Sequence, residues 1–134
     1  LSTFSAETLI IESLGKLYLE DESKIEIHIN EDFKISGDLY YLSTALKNLI
    51  DNALKYAISY PIIIEANKNE ISISNKGQKL SKEIEYYLKP FTQELSQRDG
   101  FGLGLSIVKK IIDKHNFKLE YFYENGNNIF KIYW

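Results

Sequence analysis

The stretch 42–57, LSTALKNLIDNALKYA, does most to restrict what this chain can fold into. Leu42, Leu46, Leu49, Ala53 and Ala57 recur at steps of three and four and make one apolar stripe of a helix. Beside it runs a second stripe, Asn48, Asn52, Lys55 and Tyr56, at the same steps, so these side chains meet on one face. Two carboxamides, an ammonium and a phenol at the edge of a buried face suit a ligand with phosphates, a metal and a flat ring. The same pattern also describes the solvated flank of an amphipathic helix, and the helix alone does not decide between the two.

The remaining periodicities give an α+β layout. Residues 5–19 read as an amphipathic helix capped by Ser5, with Leu9, Leu14, Leu17 and Tyr18 facing in. KIEIHIN (24–30) alternates strictly, so Ile25, Ile27 and Ile29 share one strand face and His28 points to solvent. A short strand over 33–35 leads to Gly37 and Asp38, a cap for the central helix, which Tyr60 and Pro61 end. PIIIEA (61–66) and ISIS (71–74) form a hairpin, followed by a polar loop over 75–79.

A short helix over 81–88 starts at Ser81, and Pro90 stops it. Residues 91–101 have no period and read as a long loop, a kind usually kept for function. A helix over 102–115 buries Leu105, Val108 and Ile112 and ends at His115, where a cation is favoured by the helix dipole. Two final strands flank the Asn125–Gly126 turn. The expected architecture is a single domain over 1–134. It is a two-layer sandwich, with a mixed, mostly antiparallel sheet and three main helices on one face.

Composition narrows the functional classes. Hydrophobic residues at 44% and charged residues at 26% are globular values. A net charge of -3 gives no support to a nucleic-acid or membrane-surface role. The absence of cysteine removes disulfides and thiolate metal sites, and fits a cytoplasmic setting without requiring it. No apolar run approaches the roughly 20 residues of a membrane span. The chain opens at Leu1 and reads as a fragment of something longer.

The second chemical signal is Asp99-Gly100-Phe101-Gly102-Leu103-Gly104-Leu105. Glycines leading into a helix let backbone amides approach an anion, which the helix dipole favours. The segment lacks the preceding strand of a dinucleotide fingerprint and the Gly-Lys-Ser/Thr of a P-loop. Alone, it could equally be a hinge.

Taken together, NLIDNALKYA, the strand and glycine loop ISNKGQKL, Pro90–Phe91 and GFGLGLSIVKKI resemble the ATP-binding domain of sensor histidine kinases. That superfamily is shared with gyrase, mismatch-repair and heat-shock ATPases, and the likeness covers nearly the whole chain. It implies the Bergerat-type ATP-binding fold, with ATP and Mg2+ held between the sheet layer and a mobile lid. By position it implies that Asn52 ligates magnesium, that Asn48 lines the same phosphate site, and that Lys55 reaches a phosphate oxygen. Asn48 and Lys55 are thus the catalytic candidates. Tyr56 would lie against the adenine, with Ile73, Leu80 and Leu105 as apolar walls. Gly100, Gly102, Leu103 and Gly104 would form the phosphate-contacting end of the lid, with Phe101 beside them and Phe91 anchoring the other end.

Two departures stand out. The family's first glycine box begins with Asp, which accepts from the adenine amino group; here that position is Asn75, followed by Gly77 and then Lys79 in place of a second glycine. Gln93 stands where relatives carry a basic residue, a role Arg98, the only arginine, would take over. No stretch resembles the phosphoacceptor box. The resemblance therefore implies a catalytic domain that works with its own dimerisation and phosphoacceptor helical domain and with a response-regulator receiver domain, and that contacts neither nucleic acid nor membrane. Two rivals remain: a gyrase-type ATPase or serine kinase, which would have Glu at position 48, and a degenerate binding module that has lost ATP.

Overall fold

Alternation decides which face each strand turns inward. On β4 (Ile62–Asn67) it buries Ile62, Ile64 and Ala66; on β5 (Glu70–Lys76), Ile71, Ile73 and Asn75; on β7 (Asn127–Tyr133), Asn128, Phe130 and Ile132. These strands lie in a computed structural model that describes residues 1–89 and 103–134, with Leu103 described by its backbone alone. With β2 (Ile25–Ile29) and β6 (Lys118–Glu124) they form a five-stranded sheet of order β2-β4-β5-β7-β6. The β2–β4 pair is parallel and the other pairs are antiparallel, so the sheet is mixed and mostly antiparallel, as expected. Asn69 at φ 62° turns the β4–β5 hairpin. Asn125 at φ 52° and Gly126 at φ 79° turn β6 into β7, the paired left-handed residues a two-residue hairpin needs.

Three helices supply the other layer: α1 (Ala6–Gly15), α2 (Leu39–Tyr56) and α4 (Leu103–Lys114). The short α3 (Ile84–Leu88) packs against α4. α2 lies between α1 and α4 and meets β5, so Leu42, Leu46, Leu49 and Ala53 are buried as its stripe requires. Asp38 caps it, its Oδ1 accepting from the Tyr41 N–H at 3.1 Å. At the other end the Tyr60 hydroxyl donates to the Leu54 carbonyl at 2.9 Å, satisfying one of the carbonyls a helix leaves open. Leu105, Val108 and Ile112 are the buried side of α4, as expected.

Several expectations are corrected. β1 (Ser2–Ser5), which pairs antiparallel with β3 (Lys34–Gly37) as a separate small sheet, has no sequence period long enough to read. Ser5 does cap α1, but the helix stops at Gly15; Tyr18 lies beyond it and is 94% exposed rather than facing in. Ile27 is 40% exposed because β2 is an edge strand that the helices only partly cover. α3 starts at Ile84, and the Ser81 hydroxyl bonds the Tyr87 hydroxyl (3.1 Å) instead of capping.

His115 is not placed as a cation. Its Nδ1–H donates to the Ile111 carbonyl (2.9 Å) and its Nε2 accepts the Asp38 N–H (3.1 Å), which is the neutral tautomer. His28 is on the surface, as its strand parity requires, beside Glu26.

Candidate functional site

α2 and α4 run antiparallel, and both ends of their contact are fixed. The C-terminal end of α4 is tied to the start of α2 through His115 and Asp38. The glycine-bearing start of α4 therefore falls beside the last turns of α2. A Cβ placed on Gly104 would lie 3.8 Å from Asn48 Cβ, 3.8 Å from Asn52 Nδ2 and 3.9 Å from Asn52 Oδ1. Two sequence signals more than fifty residues apart thus become one surface, with a helix N-terminus facing a pair of carboxamides.

Asn52 is half-buried, and its Nδ2 is buried with no hydrogen-bond partner among the described residues. Such a group costs about 1–3 kcal/mol, so its survival points to a ligand that completes it. Either orientation of the amide is useful: Nδ2–H to an anion, or Oδ1 to a hard cation. No group of three or more His, Cys, Asp or Glu among the described residues could hold a metal. A cation here would take carboxamide oxygen from Asn52, with Asn48 one turn away, and complete its shell from water and ligand oxygens. That donor set fits Mg2+, which keeps waters and phosphates and seldom uses an all-protein cage.

Lys55 is exposed in the last turn of α2, its Nζ 5.9 Å from the Tyr56 ring centroid. It borders a depression shared with Asp51, Lys24 and Tyr60, and Asp51 is exposed there. Tyr56 turns the other way and lines a cavity of about 280 Å³ with Ile58, Gln78, Lys79, Leu80, Ser81 and Tyr87. Leu80 is thus on the lining of that cavity. Ile73 and Leu105 are fully buried members of the core and are not part of that cavity's described lining.

Asn75 is not in a loop: β5 continues to Lys76, and Asn75 occupies its last inward position, 6% exposed. A polar residue holds that place because Nδ2 donates to the Lys76 carbonyl (3.2 Å) and because its partner across the ladder is another buried carboxamide, Asn128. Gly77 is required sterically. A Cβ there would meet the Tyr56 carbonyl oxygen at 2.9 Å and Asn75 Nδ2 at 3.0 Å, and the backbone oxygen cannot yield. The Ile58 N–H donates to the Lys76 carbonyl at 2.8 Å, so the end of α2 and the end of β5 are joined around this point.

Sequence reasoning missed Asn128 and Tyr121. Asn128 is 3% exposed; its Nδ2 donates to the Gln78 carbonyl (3.0 Å), and its Oδ1 accepts from the Tyr121 hydroxyl. The signal available was parity: Asn128 shares the inward face of β7 with Phe130 and Ile132, where an unpaired polar residue would be costly. Burial raises the Tyr121 pKa, partly offset by the Leu80 N–H bonded to its oxygen. Phe91, Gln93, Arg98, Asp99, Gly100, Phe101 and Gly102, with the Leu103 side chain and the expected loop over 91–101, lie outside the described residues.

Comparison with known proteins bears on the chain and its fold as a whole. Residues 37–133 match the family described as "Histidine kinase-, DNA gyrase B-, and HSP90-like ATPase". The chain is 35% identical over 128 residues to the sensor histidine kinase ArsS of Helicobacter pylori, covering 92% of this chain and 30% of that protein. It is 31% identical over 122 residues to the sensor histidine kinase HprS of Escherichia coli, covering 86% and 27% respectively. The chain thus spans less than a third of these curated relatives. Among solved structures, the catalytic domain of histidine kinase ThkA superposes with a TM-score of 0.69 at 26% identity, covering 98% of this chain and 92% of that one.

Proposed function

Since this chain belongs to the histidine kinase-, DNA gyrase B- and HSP90-like ATPase family, we propose that it is the catalytic and ATP-binding unit of a sensor histidine kinase. In this reading it holds Mg-ATP and presents the γ-phosphate to a histidine on a separate helical domain, from which the phosphoryl group passes to an aspartate of a response regulator. The observation that carries the reading is the meeting of Gly104 with Asn48 and Asn52, where a buried amide lacks a partner.

The residues divide the work by position. Leu80, beside Tyr56 at the cavity, and Asn75, buried next to Gly77 at the end of β5, take the base: with Nδ2 committed to Lys76, the Asn75 oxygen is left to accept from an adenine amino group. Asn48, Asn52 and the start of α4 take the phosphates, with Arg98 from the segment before the glycines; Lys55, which stands with Asp51 at the neighbouring depression, would swing across from the last turn of α2 to reach them. Asn52 would hold Mg2+, which when bound neutralises phosphate charge. The protein's contribution is positioning and electrostatics, with no covalent intermediate on this chain.

The test is to incubate the domain with labelled ATP and a separately purified acceptor-helix domain from a sensor kinase. Label on the acceptor histidine, dependent on Mg2+ and on this chain, is expected. No nucleotide binding by the folded domain would leave only a degenerate module.

A further inference from the structure

The base side of the site is held from behind by a group of side chains that no contact with a nucleotide would reveal. Between β5 and α3 the chain passes through Gly77, Gln78, Lys79 and Leu80, the last three of which border the cavity beside Tyr56. This stretch has no secondary structure of its own, so its position depends on where its polar groups are tied. The β6–β7 hairpin ties it at four points, on Gly77, Gln78 and Leu80. The Gly77 N–H donates to the Gly126 carbonyl (3.1 Å), and the Tyr123 hydroxyl donates to the Gly77 carbonyl (2.9 Å). Asn128 Nδ2 donates to the Gln78 carbonyl (3.0 Å), and the Leu80 N–H donates to the Tyr121 hydroxyl (3.4 Å). Tyr121 in turn donates to Asn128 Oδ1.

We propose that Asn128, Tyr121 and Tyr123 are positioning residues for base recognition, a brace that fixes the 77–80 segment and the setting of Asn75; this rests on the nucleotide-binding reading above. Asn128 and Asn75 face each other across the β5–β7 ladder, and the Nδ2 atoms of both lie within 3.4 Å of the point where a Gly77 Cβ would stand. Asn128 has both ends of its carboxamide occupied, so it cannot rotate without losing Gln78 or Tyr121. The brace touches only the base side of the site. Gly104, Asn48 and Asn52, on the phosphate side, make no hydrogen bond with it among the described residues. Loosening it should therefore weaken recognition of the base and spare recognition of phosphate.

The experiment compares Mg-ATP, Mg-GTP and Mg-tripolyphosphate binding to the wild type and to Tyr123→Phe and Asn128→Ala. Tyr123→Phe removes one hydroxyl from a partly exposed residue and keeps the ring, so it folds even if Asn128→Ala does not. Loss of one such bond should weaken ATP about tenfold at most, reduce the preference for ATP over GTP, and leave tripolyphosphate affinity unchanged. A folded Tyr123→Phe with unaltered ATP affinity and purine preference overturns the brace, as does equal weakening of ATP and tripolyphosphate. Absence of ATP binding by the wild type would instead overturn the nucleotide-binding reading, and the brace with it.

Discussion

Gly104 and Asn52 face each other across the α2–α4 interface, close enough that a methyl group on the glycine would rest at 3.8 Å from the amide nitrogen. That spacing is ordinary van der Waals contact, so Gly104→Ala meets no clash and gains helix propensity. It should stabilise the domain by about 0.5–1 kcal/mol. The same methyl occupies the space through which a phosphate would approach the Asn52 amide and the helix N-terminus. Thermal unfolding should show a rise in Tm while Mg-ATP titration shows weaker binding; a parallel gain in both would detach the glycine from the site.

Asn52→Ala tests the amide itself. It removes a buried donor that has no partner among the described residues, so the fold loses little, and the melting temperature should stay within a few degrees of wild type. Mg-dependent ATP binding should disappear. Unchanged titration of the folded variant would end the metal assignment.

The sequence made the central helix legible because its apolar and polar stripes have the same period, and the turns legible because Asn69, Asn125 and Gly126 supply the backbone conformations hairpins need. It failed where structure depends on partners distant in sequence. Asn75 reads as loop because polar residues usually leave strands, and only its pairing with Asn128 keeps it in one. His115 reads as a helix-end cation because the sequence does not show that the Asp38 N–H lies opposite its Nε2. β1 is too short to have a period, and exists because β3 lies beside it.

His115 joins the two helices that build the site, and its removal should be costly. His115→Ala leaves the Asp38 N–H without its acceptor and opens a gap beside Gly37, so a loss of about 1–3 kcal/mol is expected in urea unfolding. Gly37→Ala should also destabilise, because its Cβ would meet His115 Cδ2 at 2.9 Å and Leu42 Cδ1 at 2.8 Å. The double variant should cost less than the sum, since removing the ring relieves one of the two clashes. Simple additivity would mean the ring and the glycine do not press on one another.

Tyr121 predicts a response to alkali. Burial raises its pKa in the folded state above the ordinary 10.0, so the folded chain holds that proton more tightly than the unfolded chain. The stability this contributes is complete below the unfolded value and is lost as pH climbs through the folded value. Ionisation also removes the hydrogen bond to Asn128. Tyr121→Phe should therefore start less stable near neutrality and lose stability less steeply at alkaline pH. Identical slopes would show that Tyr121 does not titrate with folding.

The last prediction is that the domain binds ATP yet hydrolyses it very slowly. Water attacking a γ-phosphate needs a group that accepts its proton. The side chain one turn before Asn52 on the site face is Asn48, and a carboxamide has almost no basicity. The carboxylate next in sequence, Asp51, is rotated about 100° from Asn52 on the helix and is exposed at the depression it shares with Lys24 and Lys55. A neutral imidazole brings its own lone pair and needs no such base, so the site suits a histidine delivered from another domain better than it suits water. With labelled ATP and the domain alone, little free phosphate should form, and none of the label should reach His28, which is exposed on β2, or His115, whose two nitrogens are already engaged. Adding the acceptor-helix domain should move label onto that domain. Rapid phosphate release by the domain alone would show that water is activated without a base at position 48, and would shift the reading to a hydrolytic ATPase.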